Sequence, residues 1–208
     1  SNASFSIASG AAKLEELNVI TPNSQLIADL SLRLPTGGSQ DSFNDILIDA
    51  SVQESSIGLE DIRSFVPNIS GSDTFVIDQL TFSGTPNKFS LDSLRLSLPD
   101  SNFSGSLSFN NSEKTSNLVI DELIINPEDI LAFVPSLAQS QVDFLQHLGT
   151  SKMTGELIRR SSNHKINMAV YTSFGLLEVA VDFLKKDTQT PSFYDGKIRG
   201  NQYDMGGL

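Results

Sequence analysis

Residues with the right chemistry for catalysis are few, and their spacing favours structure over reaction. His147 and His164 have no Ser or Cys beside them in a nucleophile context. An imidazole so placed is surface or core filler rather than a general base. Two acidic doublets, Glu60-Asp61 and Glu128-Asp129, open short helical stretches. Carboxylates there complement the positive end of a helix, so they read as helix-start charges and not as a catalytic pair. The acidic residues between Asp41 and Asp49 lack the regular spacing of a calcium loop and read as a solvated segment. No HExxH, phosphate-cradling Gly-rich loop or G-x-S-x-G elbow occurs. Asn68, Asn102 and Asn110 stand in Asn-x-Ser triplets, which matter only in a glycosylating secretory pathway. The reading is a non-enzymatic chain without catalytic, cofactor-binding or metal-ligating residues.

Charge and composition narrow the partners. The 208-residue chain carries a net charge of −11 and no cysteine. Nucleic acid is excluded as a partner, because phosphate backbones are held by clustered Lys and Arg. The nearest basic cluster, Arg159 and Arg160 with Lys152, Lys165 and His164, reads as solvated surface. Without cysteine there is neither a disulfide framework nor a thiolate metal site. No run approaches the ~20 apolar residues that span a bilayer as a helix. Ser1-Asn2-Ala3 resembles the remnant of an expression tag and is set aside. Residues 4–208 are expected to form one elongated domain, an excised segment of something longer.

The elements that must position these residues are legible in the stretch LDSLRLSLPDSNFSGSLSF, residues 91–109. Leu94, Leu96 and Leu98 alternate with polar residues, a Pro99-Asp100-Ser101 corner follows, and Phe103, Gly105, Leu107 and Phe109 alternate with serines. Period-two alternation is the signature of a strand with one apolar and one wet face, and Pro-Asp-Ser is turn chemistry. Residues 14–34 repeat this text at a shift of 77: Leu17 falls on Leu94, Val19 on Leu96, Pro22 on Pro99, Leu26 on Phe103 and Leu30 on Leu107. A third copy at a shift of 72 sets Ile166 on Leu94, Met168 on Leu96, Val170 on Leu98, Val179 on Leu107 and Val181 on Phe109. There Tyr171-Thr172-Ser173 replaces the proline corner.

A second repeated unit lies between the copies. Residues 60–67 match residues 128–135 at a shift of 68, both with the text Glu-Asp-Ile-x-x-Phe-Val-Pro. Asn126 suits an N-cap and Pro127 a first helical position, while each closing proline stops its helix. Two helices of about two turns are predicted, with Ile62/Phe65 and Ile130/Phe133 capping an open end of the sheet. One longer helix is predicted over 136–148, its stripe Gln141, Phe144, Leu145 and Leu148, with Gly149 just past its end. Further strands are predicted over 43–52, 74–83, 88–98, 102–109, 117–125, 152–160, 164–172, 176–185 and from 193 onward.

Strands with one greasy face cannot lie flat in water, since soluble proteins avoid large apolar patches. The sheet must fold over as a trough, close into a barrel or pair with a second sheet. The strand text alone leaves all three open.

Asp61-Ile-x-x-Phe-Val-Pro67 and Asp129-Ile-x-x-Phe-Val-Pro135 resemble the repeats of TamB-type envelope proteins (translocation and assembly module, AsmA-related). So does Leu-x-x-Leu-x-Val-x-Thr-Pro-Asn-Ser-x-Leu-x-x-Asp-Leu over 14–30. Tyr194-Asp195-Gly196-Lys197-Ile198 with Tyr203-Asp204-Met205-Gly206 is similar to the family's Tyr-x-Gly…Phe-Asp-Leu-Gly passage, with Tyr203 and Met205 as conservative departures. The resemblance covers about residues 14–208. It implies a mainly β fold, a folded-over antiparallel, taco-like sheet built from repeated strand pairs with two short helices and one longer one. It implies an internal segment of a long protein anchored in the inner membrane and crossing the periplasm to an outer-membrane β-barrel partner. The family's anchor and its barrel-contacting region have no counterpart in this sequence. The function implied is movement of phospholipid and assembly of outer-membrane proteins. On that reading Leu17, Val19, Leu26, Leu30, Leu94, Leu96, Leu98, Phe103, Leu107 and Phe109 face acyl chains, and open strand edges permit self-association. The competing reading is a structural or adhesion β module that binds protein or glycan through its polar face. Exposed aromatics would serve that role, and the chain has no Trp and three Tyr.

Overall fold

The computed structural model describes residues 2–8, 10–35, 42–63, 74–133, 139–184 and 193–202. Twelve strands form one antiparallel sheet in which spatial order equals chain order. They are β1 (Asn2–Ala8), β2 (Ala11–Ile20), β3 (Gln25–Arg33), β4 (Leu47–Gly58), β5 (Thr74–Thr85) and β6 (Lys88–Ser97), followed by β7 (Asn102–Asn110), β8 (Thr115–Ile125), β9 (Ser151–Arg160), β10 (Asn163–Thr172), β11 (Gly175–Leu184) and β12 (Phe193–Asn201). Three helices, α1 (Leu59–Ile62), α2 (Pro127–Phe133) and α3 (Gln139–Leu148), interrupt the meander. The sheet is a folded-over trough, not closed into a barrel, and its extensive strand contacts run between sequence neighbours.

One expectation needs correction. Phe43 belongs to a 3₁₀ turn (Ser42–Asp45), so β4 begins later than predicted and runs on to Gly58. Asn2 and Ala3, which the sequence reading set aside, lie in β1, where Asn2 pairs with Asn18. The helical residues expected at 64–67 and 134–138, Asn68, and the closing motif from Tyr203 lie outside the described residues.

The repeat is deeper than strand text. Glu16 (φ 54°) and Ser93 (φ 54°) both adopt left-handed backbone. Each marks a bulge, between Leu14 and Leu17 against β3 and between Leu91 and Leu94 against β7. A bulge bends its strand and increases local twist, so the copies share a bend as well as a face. The module is four strands and a helix, β2–β5 repeated by β6–β9, with β10–β12 beginning a third. The shift falls from 77 to 68 within the module because the β3–β4 connection, residues 34–46, is longer than the β7–β8 turn, residues 111–114.

Corners and helices share one end of the sheet, where they lock together. In the first module Thr21 N–H donates to the Ser24 carbonyl at 2.9 Å, and in the second Leu98 N–H donates to Ser101 at 2.7 Å. The corner serine then accepts from the chain entering the helix: Gly58 N–H to Ser24 Oγ at 2.9 Å, and Asn126 N–H to Ser101 Oγ at 2.8 Å. The helix aspartate reaches back. Asp61 accepts from the Ser24 and Thr21 hydroxyls, and Asp129 accepts from Asp100 N–H at 3.1 Å. Asn126 caps α2 as predicted, its Oδ1 accepting from Glu128 N–H at 2.9 Å. Gly58 holds the matching position without a side-chain cap, because a Cβ there would lie 2.7 Å from Asn23.

The third pair is a plain hairpin. Had the second pair's register carried over, Ile166 would oppose Leu177. Instead Ile166 opposes Val181, and Leu177 opposes Val170. The β10–β11 turn still meets a helix: Ser173 N–H and Oγ donate to the Leu148 and His147 carbonyls at 3.3 and 3.0 Å. This satisfies carbonyls left open at the end of α3, where Gly149 (φ 63°) terminates it as predicted.

Candidate apolar binding face

Residues opposed across an antiparallel ladder share a face, so the register sorts the whole sheet. Starting at β1, one face carries Phe5 and Ile7, then Leu14, Leu17 and Val19, then Leu26, Leu30 and Leu32. It continues through Ile48, Ala50 and Val52, Leu80 and Phe82, Phe89, Leu91, Leu94 and Leu96, and Phe103, Leu107 and Phe109. Leu118, Ile120, Leu123, Met153, Leu157, Ile166, Met168 and Val170 follow, then Leu177, Val179, Val181, Tyr194 and Ile198. The opposite face is mostly Ser, Asp, Asn, Glu and Lys, with exposed pairs such as Arg33–Asp49 at 3.0 Å and Lys152–Glu122. Solvent screens such pairs, and they stabilise little.

Nine of the ten residues expected to face acyl chains pair on this one face. The tenth, Leu98, lies just past β6 and lines an apolar cavity with Leu96 and Phe103. Leu17 and Val19 meet Ala28 and Leu26, and Leu96 meets Phe103. The two groups are not in contact with each other: β4 and β5 stand between them and continue the face. The expected set therefore omitted most of the surface. The alternation of Ile48, Ala50 and Val52, and of Ile166, Met168 and Val170, was the available signal for it.

Away from its helical end, no described element packs over this face. Leu59 and Ile120 are the buried apolar side chains there, while Phe5, Ile7, Val19, Tyr194 and Ile198 are exposed. Ile120 is buried by its neighbours in the sheet, opposed by Gly105 on β7 and Gly155 on β9. A Cβ at Gly105 would come 2.2 Å from the Val119 carbonyl oxygen, and one at Gly155 2.2 Å from that of Asn167. Phe103 and Met168 lean over these glycines instead. Glycine under a neighbouring large side chain is how a sheet bends without losing contact area.

The two ends of the face differ. At the helical end, α1 and α2 fold over it: Leu59 and Ile130 line a cavity of about 390 Å³ with Phe75, Leu96, Leu98, Phe103, Leu123 and Ile125. Capping of that end by Ile130 agrees with expectation; the side chains of Ile62, Phe65 and Phe133 lie outside the described residues. At the opposite end a cross-strand row runs Phe89, Phe109, Ser116, Arg159, His164, Phe183, Tyr194. Ring contacts hold its flanks, Phe89–Phe109 at 5.3 Å and Phe183–Tyr194 at 5.0 Å. Arg159 is the one Lys or Arg at a paired position of this face among the described residues, so the cluster read as solvated surface contributes a cation to the apolar side. His164 packs its ring on Phe183 at 5.7 Å. His147 lies on α3, its Nδ1 2.7 Å from the Asp143 carbonyl oxygen.

Among the described residues no group of three or more His, Asp or Glu side chains could hold a metal ion. No described helix is long and apolar enough to cross a membrane. No protein-family model, curated protein or solved structure matches the chain.

Proposed function

We propose that this chain is a non-enzymatic segment of a periplasm-spanning envelope protein whose apolar trough carries phospholipid acyl chains. In the full-length protein, anchored in the inner membrane, the same trough serves outer-membrane protein assembly with a β-barrel partner. One observation carries the reading: a single face is apolar across all twelve strands and, among the described residues, is left uncovered away from its helical end. Such a face either binds something apolar or leaves the protein prone to aggregate. Hydrocarbon suits it, because each methylene withdrawn from water gains about 0.8 kcal/mol without any hydrogen bond. A half-covered acyl chain is then held by several kcal/mol. The resemblance of the Asp-Ile-x-x-Phe-Val-Pro and Thr-Pro-Asn-Ser segments to TamB-type repeats supports the envelope setting.

Native mass spectrometry after exposure to phospholipid tests this. The parent chain is expected to carry phospholipid adducts, and Leu107→Asp, which sets a charge mid-face, to lose them while keeping its circular dichroism. A folded parent that emerges bare, or a folded Leu107→Asp that keeps its lipid, would contradict the reading.

A further inference from the structure

We propose that the cavity under α1 and α2 is a blind pocket for the methyl end of a single acyl chain. The inference rests on the lipid-carrying reading of the trough and adds a place where one chain stops. The cavity, about 390 Å³, falls within the size range of small-molecule sites. Its floor is sheet, including Leu96, Phe103 and Leu123, and its end wall is helix, Leu59 from α1 and Ile130 from α2. Leu59 is fully buried, so that wall is packed in place. Both helices are pinned to the strand corners through Asp61 and Asp129.

The lining selects the occupant. It contains no charged side chain, and its two polar residues are Ser101, whose hydroxyl oxygen accepts from Asn126 N–H, and Asn102. The other nine lining residues are apolar, so a charged or strongly polar group entering would lose more water contact than it regains, which disfavours a headgroup. A hydrocarbon terminus loses nothing, and each methylene seated there raises affinity about fourfold. The pocket is continuous with the open face through Leu96 and Phe103, so a chain lying in the trough can slide in tail first. The larger hollow on the polar side of β9–β12, lined by Glu156, Glu178, Lys197 and Arg199, has the opposite chemistry.

The chain has no tryptophan, so Phe103→Trp supplies a lone fluorescent reporter inside the pocket. Leu96→Trp is a second pocket reporter on the adjoining strand, and Leu30→Trp samples the open face. Each variant that retains the parent's circular dichroism is titrated with phosphatidylcholine brominated near the methyl end or near the ester. The pocket predicts that methyl-end bromine quenches both pocket reporters several-fold more strongly than ester-end bromine, and that Leu30→Trp shows no such preference. Equal quenching by the two lipids at the pocket reporters, or quenching at Leu30→Trp alone, overturns the pocket and leaves the trough standing. No quenching at any reporter overturns both.

Discussion

Asp61 joins sequence to architecture at the scale of one side chain. Hydroxyl donation from Ser24, and then from Thr21, holds its carboxyl below the ordinary aspartate value, while partial burial pulls the other way and loses. A depressed folded value means that the clasp adds stability at pH above the unfolded aspartate value, about 3.9. That contribution is lost as pH falls through the lower, folded value. In an NMR titration Asp61 is expected to ionise at lower pH in the folded chain than in urea, and Ser24→Ala to move the folded midpoint upward. Identical folded and unfolded midpoints would remove the clasp. The residue-level signal in the sequence was mixed. The Glu-Asp doublets were legible as helix-start charges, but their partners were not, because Ser24 and Asp61 meet only when β3 pairs with β4. The bulge residues Glu16 and Ser93 were invisible for a related reason: neither is a residue type that announces left-handed backbone.

At the scale of elements, the row Gly105–Ile120–Gly155 adjoins irregularities in both of its ladders, between Ser104 and Gly105 and between Ile120 and Leu123, the kind of feature that bends a strand. Gly105→Val would force a side chain against the Val119 carbonyl oxygen and the Phe103 ring, and such overpacking costs about 1–3 kcal/mol. The urea midpoint should fall accordingly, whereas Ser106→Val on the other face should shift stability by less than ~0.5 kcal/mol. An unchanged midpoint for Gly105→Val would mean that the close approach at Gly105 constrains nothing. Strand positions were largely legible, since period-two text survives any curvature: β6 through β11 fall within one or two residues of their predicted spans. Pairing across the third hairpin was not. A two-residue turn at Ser173-Phe174 sets a different register from a proline corner, and strand alternation is blind to that change. Leu59 escaped notice because it stands outside both the alternating text and the Asp-Ile repeat.

The whole molecule is a sheet whose stability comes from ladder hydrogen bonds and in-plane packing, with few apolar side chains sealed away. Edges remain open at both ends: β1 and β12 each pair with one neighbour among the described residues, and the described side chains of both are exposed. Unpaired edges of this kind are templates for a further strand. The one-faced pattern was legible in the sequence, which left trough, barrel and sandwich open. Choosing among them required knowing that β1 and β12 do not pair and that no second sheet covers the face. The openness of that face is best measured by thiol reactivity, since the chain has no cysteine of its own. Leu30→Cys, Leu107→Cys and Val179→Cys place thiols on the apolar face, and Ser106→Cys places one on the polar face. An open trough predicts that all four react with a small maleimide at rates within about tenfold of one another, and that added phospholipid slows the first three alone. Protection of the apolar-face thiols by the several orders of magnitude that a sealed interior confers, or equal slowing on both faces, would contradict it.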